Sequence, residues 1–163
     1  MSTPHATSKQ VLSVFATVIY AKARALKSLT LSDAQRARLL ESVSDDIKKC
    51  TDLIQPEVSR AARREAQRRG IDLYGKGWHD QPGFDKRRRI FHLEHFTPVS
   101  AIRAACLDQR TRSGVLKVLI SKLRVVWLLK SEDAILTRQG HRTKRDDPAA
   151  AYKAAGIRVV GRG

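Results

Sequence analysis

A carboxylate and an imidazole adjoin at Glu94 and His95, the pair in this chain whose types and spacing best suit catalysis. Residues 90–98 alternate apolar and polar side chains as a short strand does, and Thr97 and Pro98 are typical of a helix start. A carboxylate offers an oxygen ligand to a hard divalent ion, and histidine can take a proton from water. Neighbouring strand residues face opposite ways, so joint action requires a strand break between them, which Pro98 favours. The pair predicts a phosphodiesterase site, with a surface ion pair as the alternative.

The order Glu94, His95 and, three places on, Pro98 resembles the opening of the HNH, or ββα-metal, nuclease motif. The resemblance implies that His95 is the general base that activates water and that Glu94 holds Mg²⁺ or another divalent metal ion. It also implies an endonuclease of restriction or phage type that acts on DNA in preference to RNA. Such an enzyme could work as a homodimer to cut both strands.

The same resemblance implies a second strand followed by a helix that carries the last metal ligand. Residues 123–129 are typical of a buried strand, and Ser131 favours a helix start directly after it. The predicted ligand is then Glu132 or Asp133. The alternative is that both acids only favour the helix start, because its dipole stabilises negative charge in the first turn. The chain contains no asparagine, so it lacks the asparagine that orients the base in this family.

His92 precedes Glu94 by two residues and should therefore share its face of the strand. It is a candidate metal ligand or an outer group that orients one. The alternative is a partly buried strand histidine without a role in chemistry.

The charge balance indicates a polyanionic partner. Lysine and arginine number 32 against 16 acidic residues, so the formal net charge is +16, and the pI is near 10.6. Nucleic acid binds such a surface by releasing condensed counterions. The chain has no stretch of transmembrane length, and residues 1–10 lack a signal-peptide core, so we expect no membrane partner and a cytoplasmic location. A noncatalytic DNA- or RNA-binding protein is the rival to a nuclease.

Two segments concentrate the positive charge. A helix predicted over residues 58–69 has small residues on one side and arginines on the other, and a loop ends in a basic run. The predicted nucleic-acid contacts are Arg60, Arg63, Arg64, Arg68, Arg69, Lys86, Arg87, Arg88 and Arg89. Trp78 and Phe84 in the loop either stack on unpaired bases or pin the loop to the core.

The expected architecture is a single mainly helical α+β domain over residues 1–163. It comprises a helical hairpin in residues 1–56, an arginine-rich helix in 57–70 and a small ββα-metal-like nuclease core in 71–163. Cys50 and Cys106 lie in predicted helices, where buried thiols are the ordinary outcome, and no zinc-binding cysteine pair exists.

Overall fold

The computed structural model describes residues 6–142 and 144–161, and its chain divides into two compact units. The first unit takes Met1–Leu53 and Val99–Leu123, and the second takes Ile54–Pro98 and Arg124–Gly163. Helices dominate the first and a small sheet with helices forms the second, which confirms the mainly helical α+β class. Residues 99–123, which the sequence placed within the nuclease core of residues 71–163, belong to the first unit.

The first unit is made of four helices. They are α1 (Ser8–Ser28), α2 (Asp33–Lys49), α5 (Val99–Asp108) and α6 (Arg112–Lys122), with a short 3₁₀ helix (Cys50–Leu53) after α2. Ser32 and Gln35 have the types and spacing of a capping box, and the box is present: Ser32 Oγ accepts from Gln35 N at 3.3 Å, and Gln35 Oε1 accepts from Ser32 N at 2.9 Å. The apolar stripes of α1 and α2 face each other as a helical hairpin, as the periodicity predicted.

Both cysteines lie in the core of this unit, as expected. Cys50 and Cys106 are fully buried. Burial raises the pKa of each thiol to about 12, and for Cys50 the charge of Asp46 adds to the effect.

We expect native protein to react very slowly with a thiol-specific disulfide reagent, because the thiolate is the reactive form. In guanidinium chloride both Cys50 and Cys106 should react at once. Absorbance of the released thiolate measures both rates, and rapid titration of the native protein would contradict this burial.

The second unit is built on a four-stranded sheet of order β2-β3-β1-β4. Its strands are β1 (Glu57–Ser59), β2 (Phe91–His95), β3 (Val125–Leu129) and β4 (Val159–Val160). β3 runs parallel to β1 and antiparallel to β2, and β4 runs antiparallel to β1. β2 is thus an edge strand, with one of its sides free of a strand partner within the described sheet.

Helices cover both faces of this sheet. They are α3 (Arg60–Arg68), α4 (Gln81–Phe84), α7 (Lys130–Arg138) and α8 (Pro148–Ala154), and short 3₁₀ helices (Trp78–Asp80 and Lys86–Arg88) flank α4. On one face Phe91 and Trp127 pack with the small residues of α3. On the other face Val126 and Leu128 pack with Leu136 of α7 and residues of α8.

Two predicted helix starts differ from the structure. Val58, predicted to open the arginine-rich helix, lies in β1 because strands on both sides satisfy its backbone. The helix begins after Ser59, whose Oγ accepts from Ala62 N at 3.0 Å. Ser131, predicted as a cap, lies inside α7, which starts directly from the end of β3.

No helix in residues 6–142 or 144–161 combines the length and the apolar character needed to cross a bilayer.

Candidate metal centre

β2 continues unbroken from Phe91 to His95, which pairs with Val125 of β3. Strand alternation puts His92 and Glu94 on one face and Phe91 and His95 on the other. The predicted break between Glu94 and His95 is therefore wrong, because β3 pairs with β2 as far as residue 95. The two side chains of the expected catalytic pair point to opposite faces of the strand.

Three side chains that can bind metal converge on the α7 face of β2. One ligand atom each from His92, Glu94 and Asp133 lies within 4.8 Å of the other two. His92 Nε2 is 3.0 Å from Glu94 Oε2 and 3.9 Å from Asp133 Oδ1. Asp133 reaches this point because α7 leaves the end of β3, the strand beside β2, and its first turn packs over the sheet.

A buried arginine anchors the carboxylate of Glu94. Arg145 Nη2 donates to Glu94 Oε1, and the two side chains are only 1% and 15% exposed. The other nitrogens are also occupied: Nε donates to His141 O at 2.6 Å, and Nη1 donates to His95 O and Phe96 O at 3.1 Å. Oε1 is thus held by Arg145, and Oε2 is the oxygen that faces the cluster.

These contacts keep Glu94 ionised. Burial by itself would raise the pKa of this carboxyl, but hydrogen bonds from His92 and Arg145 and the Arg145 charge outweigh it and hold the pKa below its usual range. The result is an anionic oxygen at a half-enclosed position beside a second carboxylate.

A buried hydroxyl lies near the same group. Tyr152 is 2% exposed, and its hydroxyl interacts with Arg145, the arginine that holds Glu94. Burial, together with the negative charge of Glu94, raises the pKa of Tyr152 well above its usual value.

Glu132 lies outside the cluster, although it adjoins Asp133. Its Oε2 accepts from Leu129 N at 2.9 Å and from Ser59 Oγ at 2.6 Å. Leu129 is the N-cap of α7, so Glu132 satisfies a backbone donor at the helix start. Of the two acids predicted as alternatives, Asp133 lies beside Glu94. Glu132 instead forms hydrogen bonds that connect α7 to Ser59 at the end of β1 and to Leu129 at the end of β3.

The donor set suits a divalent cation. In octahedral coordination at about 2.1 Å, adjacent ligand atoms of Mg²⁺ lie about 3.0 Å apart and opposite ones about 4.2 Å apart. The separations of 3.0 and 3.9 Å from His92 Nε2 fall in this range. Carboxylates favour Mg²⁺ and Mn²⁺, and an imidazole is an accepted ligand of transition metals. The residues that would hold the ion are His92, Glu94 and Asp133.

Two members of this site were missed by sequence reasoning. Arg145 belongs to a basic run that is indistinguishable by composition from a phosphate-contacting loop, and Tyr152 belongs to a helix that looked structural. Ala151 and Tyr152 are both buried in α8, but this helix is apolar along most of its length, so its sequence did not single out Tyr152.

The predicted nucleic-acid contacts lie on the surface of the second unit. The five arginines on and beside α3 are exposed, although Arg68 and Arg69 both pair with Glu65, at 2.5 and 2.6 Å. In the loop, Phe84 packs on Phe91 and Trp127. Trp78 is 39% exposed.

Comparison with known proteins finds no matching family model, curated sequence or solved structure.

Proposed function

We propose that this chain is a metal-dependent endonuclease that hydrolyses phosphodiester bonds of DNA. The observation that carries the proposal is the convergence of His92, Glu94 and Asp133 in a chain of net charge +16. Beyond the ion pair of Glu94 with Arg145, a second carboxylate and an imidazole lie at the same point, and this donor set can bind a cation. A strongly basic protein with such a cluster suits a polyanionic substrate whose hydrolysis needs charge neutralisation.

Three of these residues would bind the metal ion, and a fourth orients one of the ligands. Glu94 Oε2 and Asp133 Oδ1 supply the anionic ligands, and His92 Nε2 completes the set. Arg145 holds Glu94 in one orientation, as outer groups around metal ligands do. A divalent ion bound here would polarise a phosphate oxygen and stabilise the charge that develops during hydrolysis.

The ββα order supports the same chemistry. β2, β3 and α7 follow one another as strand, antiparallel strand and helix, and the cluster draws on β2 and α7. This is the arrangement that the HNH resemblance implies, with a helical insertion between the strands. The resemblance is an analogy, so the preference for DNA over RNA rests on it alone.

The test is cleavage of supercoiled plasmid by purified protein. We expect nicked and linear products with Mg²⁺ or Mn²⁺ and intact plasmid with EDTA. Asp133→Ala protein purified in parallel controls for contaminating nuclease. Equal cleavage by both preparations, or an intact plasmid with each metal, would contradict the proposal.

The base assigned to His95 by the resemblance is tested separately. His95 points to the face of β2 away from the cluster, so His95→Ala should cleave DNA at close to the wild-type rate and bind it with nearly unchanged affinity. His92→Ala should instead weaken metal affinity, measured by Mn²⁺ titration calorimetry. Loss of cleavage in folded His95→Ala would instead assign the base to this residue, as the resemblance implies.

The second candidate function is noncatalytic binding of DNA or RNA. The exposed arginines of α3 favour it, since phosphate contacts require no metal. Tight, salt-sensitive binding together with failure to cleave any nucleic acid would select this function.

A further inference from the structure

A cleft of about 660 Å³ lies beside the basic run in the second unit. Four of its eight lining residues are cationic, while most of the lining surface is apolar: Arg69, Gly83, Phe84, Asp85, Lys86, Arg87, Arg89 and Ile90. Asp85 is the one acidic residue of this lining, and its side chain is turned away from solvent, with the residue 2% exposed. The volume lies within the range of small-ligand sites.

Asp85 holds the shape of the turn. Its carboxylate accepts hydrogen bonds from the backbone N–H groups of Arg89 at 3.0 Å, Ile90 at 3.1 Å and Phe91 at 2.9 Å. The buried side chain of Gln81 donates to it at 3.1 Å. Burial by itself would raise the pKa of Asp85. The hydrogen bonds that its carboxylate accepts outweigh this effect and hold the pKa below its usual range.

The turn also adopts an unfavourable backbone conformation. Arg87 and Arg88 have φ of 61° and 51°, and both residues carry a Cβ that disfavours this region. Two consecutive residues of this kind persist only where surrounding contacts impose them, and such strain concentrates at binding sites. Here the contacts of Asp85 impose it.

The arginines differ in how they are engaged. Arg88 stacks on Trp78, with its Cζ 3.3 Å from the ring centroid. Lys86, Arg87 and Arg89 are exposed, and within the described residues none of the three side chains forms an ion pair. Three cations are thus left beside one cleft.

We propose that this cleft binds a phosphate group of nucleic acid through Lys86, Arg87 and Arg89, and that Asp85 is the positioning residue of the turn. A guanidinium group can donate two parallel hydrogen bonds to a pair of phosphate oxygens, and Phe84 and Ile90 offer an apolar wall to the attached sugar or base. The site shares with the proposed function only its nucleic-acid partner. It requires no metal, and so its test is independent of cleavage.

Binding is measured in EDTA by fluorescence anisotropy of a labelled duplex. Replacing both Arg87 and Arg89 by alanine should weaken binding on the order of a hundredfold, at about tenfold for each charged contact. The slope of log K against log salt should fall by about 1 for each arginine. A matched control, Lys9→Ala with Lys27→Ala, removes the same charge from exposed positions of α1. Equal losses in the two double variants would overturn the site.

The direction in which Asp85→Asn changes the affinity for nucleic acid distinguishes a positioning role of Asp85 from a purely electrostatic one. Removing a negative charge near phosphate should by itself tighten binding. If Asp85 positions the turn, binding weakens instead. The single amide oxygen of asparagine cannot accept all the hydrogen bonds that the carboxylate of Asp85 accepts from the backbone of residues 89–91 and from Gln81. Circular dichroism and the melting temperature identify folded preparations for comparison. Tighter binding by folded Asp85→Asn would overturn the positioning role.

The source of the phosphate is resolved with single strands of one sequence, with and without a 5′-phosphate. Preference for the phosphorylated strand that is lost in the Arg87/Arg89 variant identifies a terminal phosphate. Equal affinities for both strands, each weakened by the variant, identify a backbone phosphate. If the Arg87/Arg89 variant binds both strands with the same affinity as the wild type, the proposal is contradicted.

Discussion

Asp133→Ala is expected to abolish metal-dependent cleavage while leaving the free energy of unfolding nearly unchanged. Asp133 is 31% exposed, and its close contact in the cluster is His92 Nε2 at 3.9 Å, so the folded state loses little with it. Metal affinity should fall by more than the roughly 10- to 100-fold that loss of an outer-shell partner costs. Mn²⁺ calorimetry and plasmid cleavage measure the two losses.

The adjacent residue provides the matched control. Glu132→Ala removes the hydrogen bonds to Leu129 N and Ser59 Oγ, so stability should fall by about 1–2 kcal/mol. Its metal affinity should stay near that of the wild type. If Glu132→Ala loses metal binding and Asp133→Ala keeps it, the cluster has been assigned to the wrong acid.

The largest effect on stability is expected from Arg145→Ala. The change leaves Glu94 buried without its cationic partner and removes donors to two strand-end carbonyl groups. Breaking a buried pair from one side costs about 3–5 kcal/mol. Urea unfolding followed by circular dichroism measures it, with Arg142→Ala, an exposed neighbour, as control.

A double variant separates the charge effect from the packing effect. Glu94→Leu with Arg145→Met replaces both ions by apolar groups, which is often neutral for stability. We expect it to recover most of the stability that Arg145→Ala loses and to lack metal binding. A stability loss for Arg145→Ala no larger than that of Arg142→Ala would mean that the pair contributes nothing to the fold.

Local sequence signals predicted the elements that depend on short-range chemistry. The capping box at Ser32, the Asp147-Pro148 start of α8 and the turn at Gly156, which has φ of 73°, follow from side chains a few residues apart. Alternation over residues 90–98 predicted β2, and the apolar run after residue 122 predicted β3. These signals sufficed for the fold class and for the order strand, strand, helix.

The candidate site was only partly predictable. Glu94 was expected as a ligand, Glu132 or Asp133 as a second one, and His92 as a ligand or an outer group, because acids and histidines stand out in a basic chain. The pairing of β2 with β3 determined whether His92 or His95 lies on the same face of the strand as Glu94. A strand that stays paired through His95 turns that side chain away and leaves His92 beside Glu94.

The sequence by itself determined the charge, the helical hairpin, the two strands of the site and the candidate acids, since each depends on composition or on spacing within an element. Only the tertiary structure decided which acid of α7 meets β2 and that Arg145 is buried against Glu94. Each of these contacts joins segments that the chain separates, or depends on a strand register. Local periodicity carries no information on such pairings, because they form only when the sheet and its covering helices pack together.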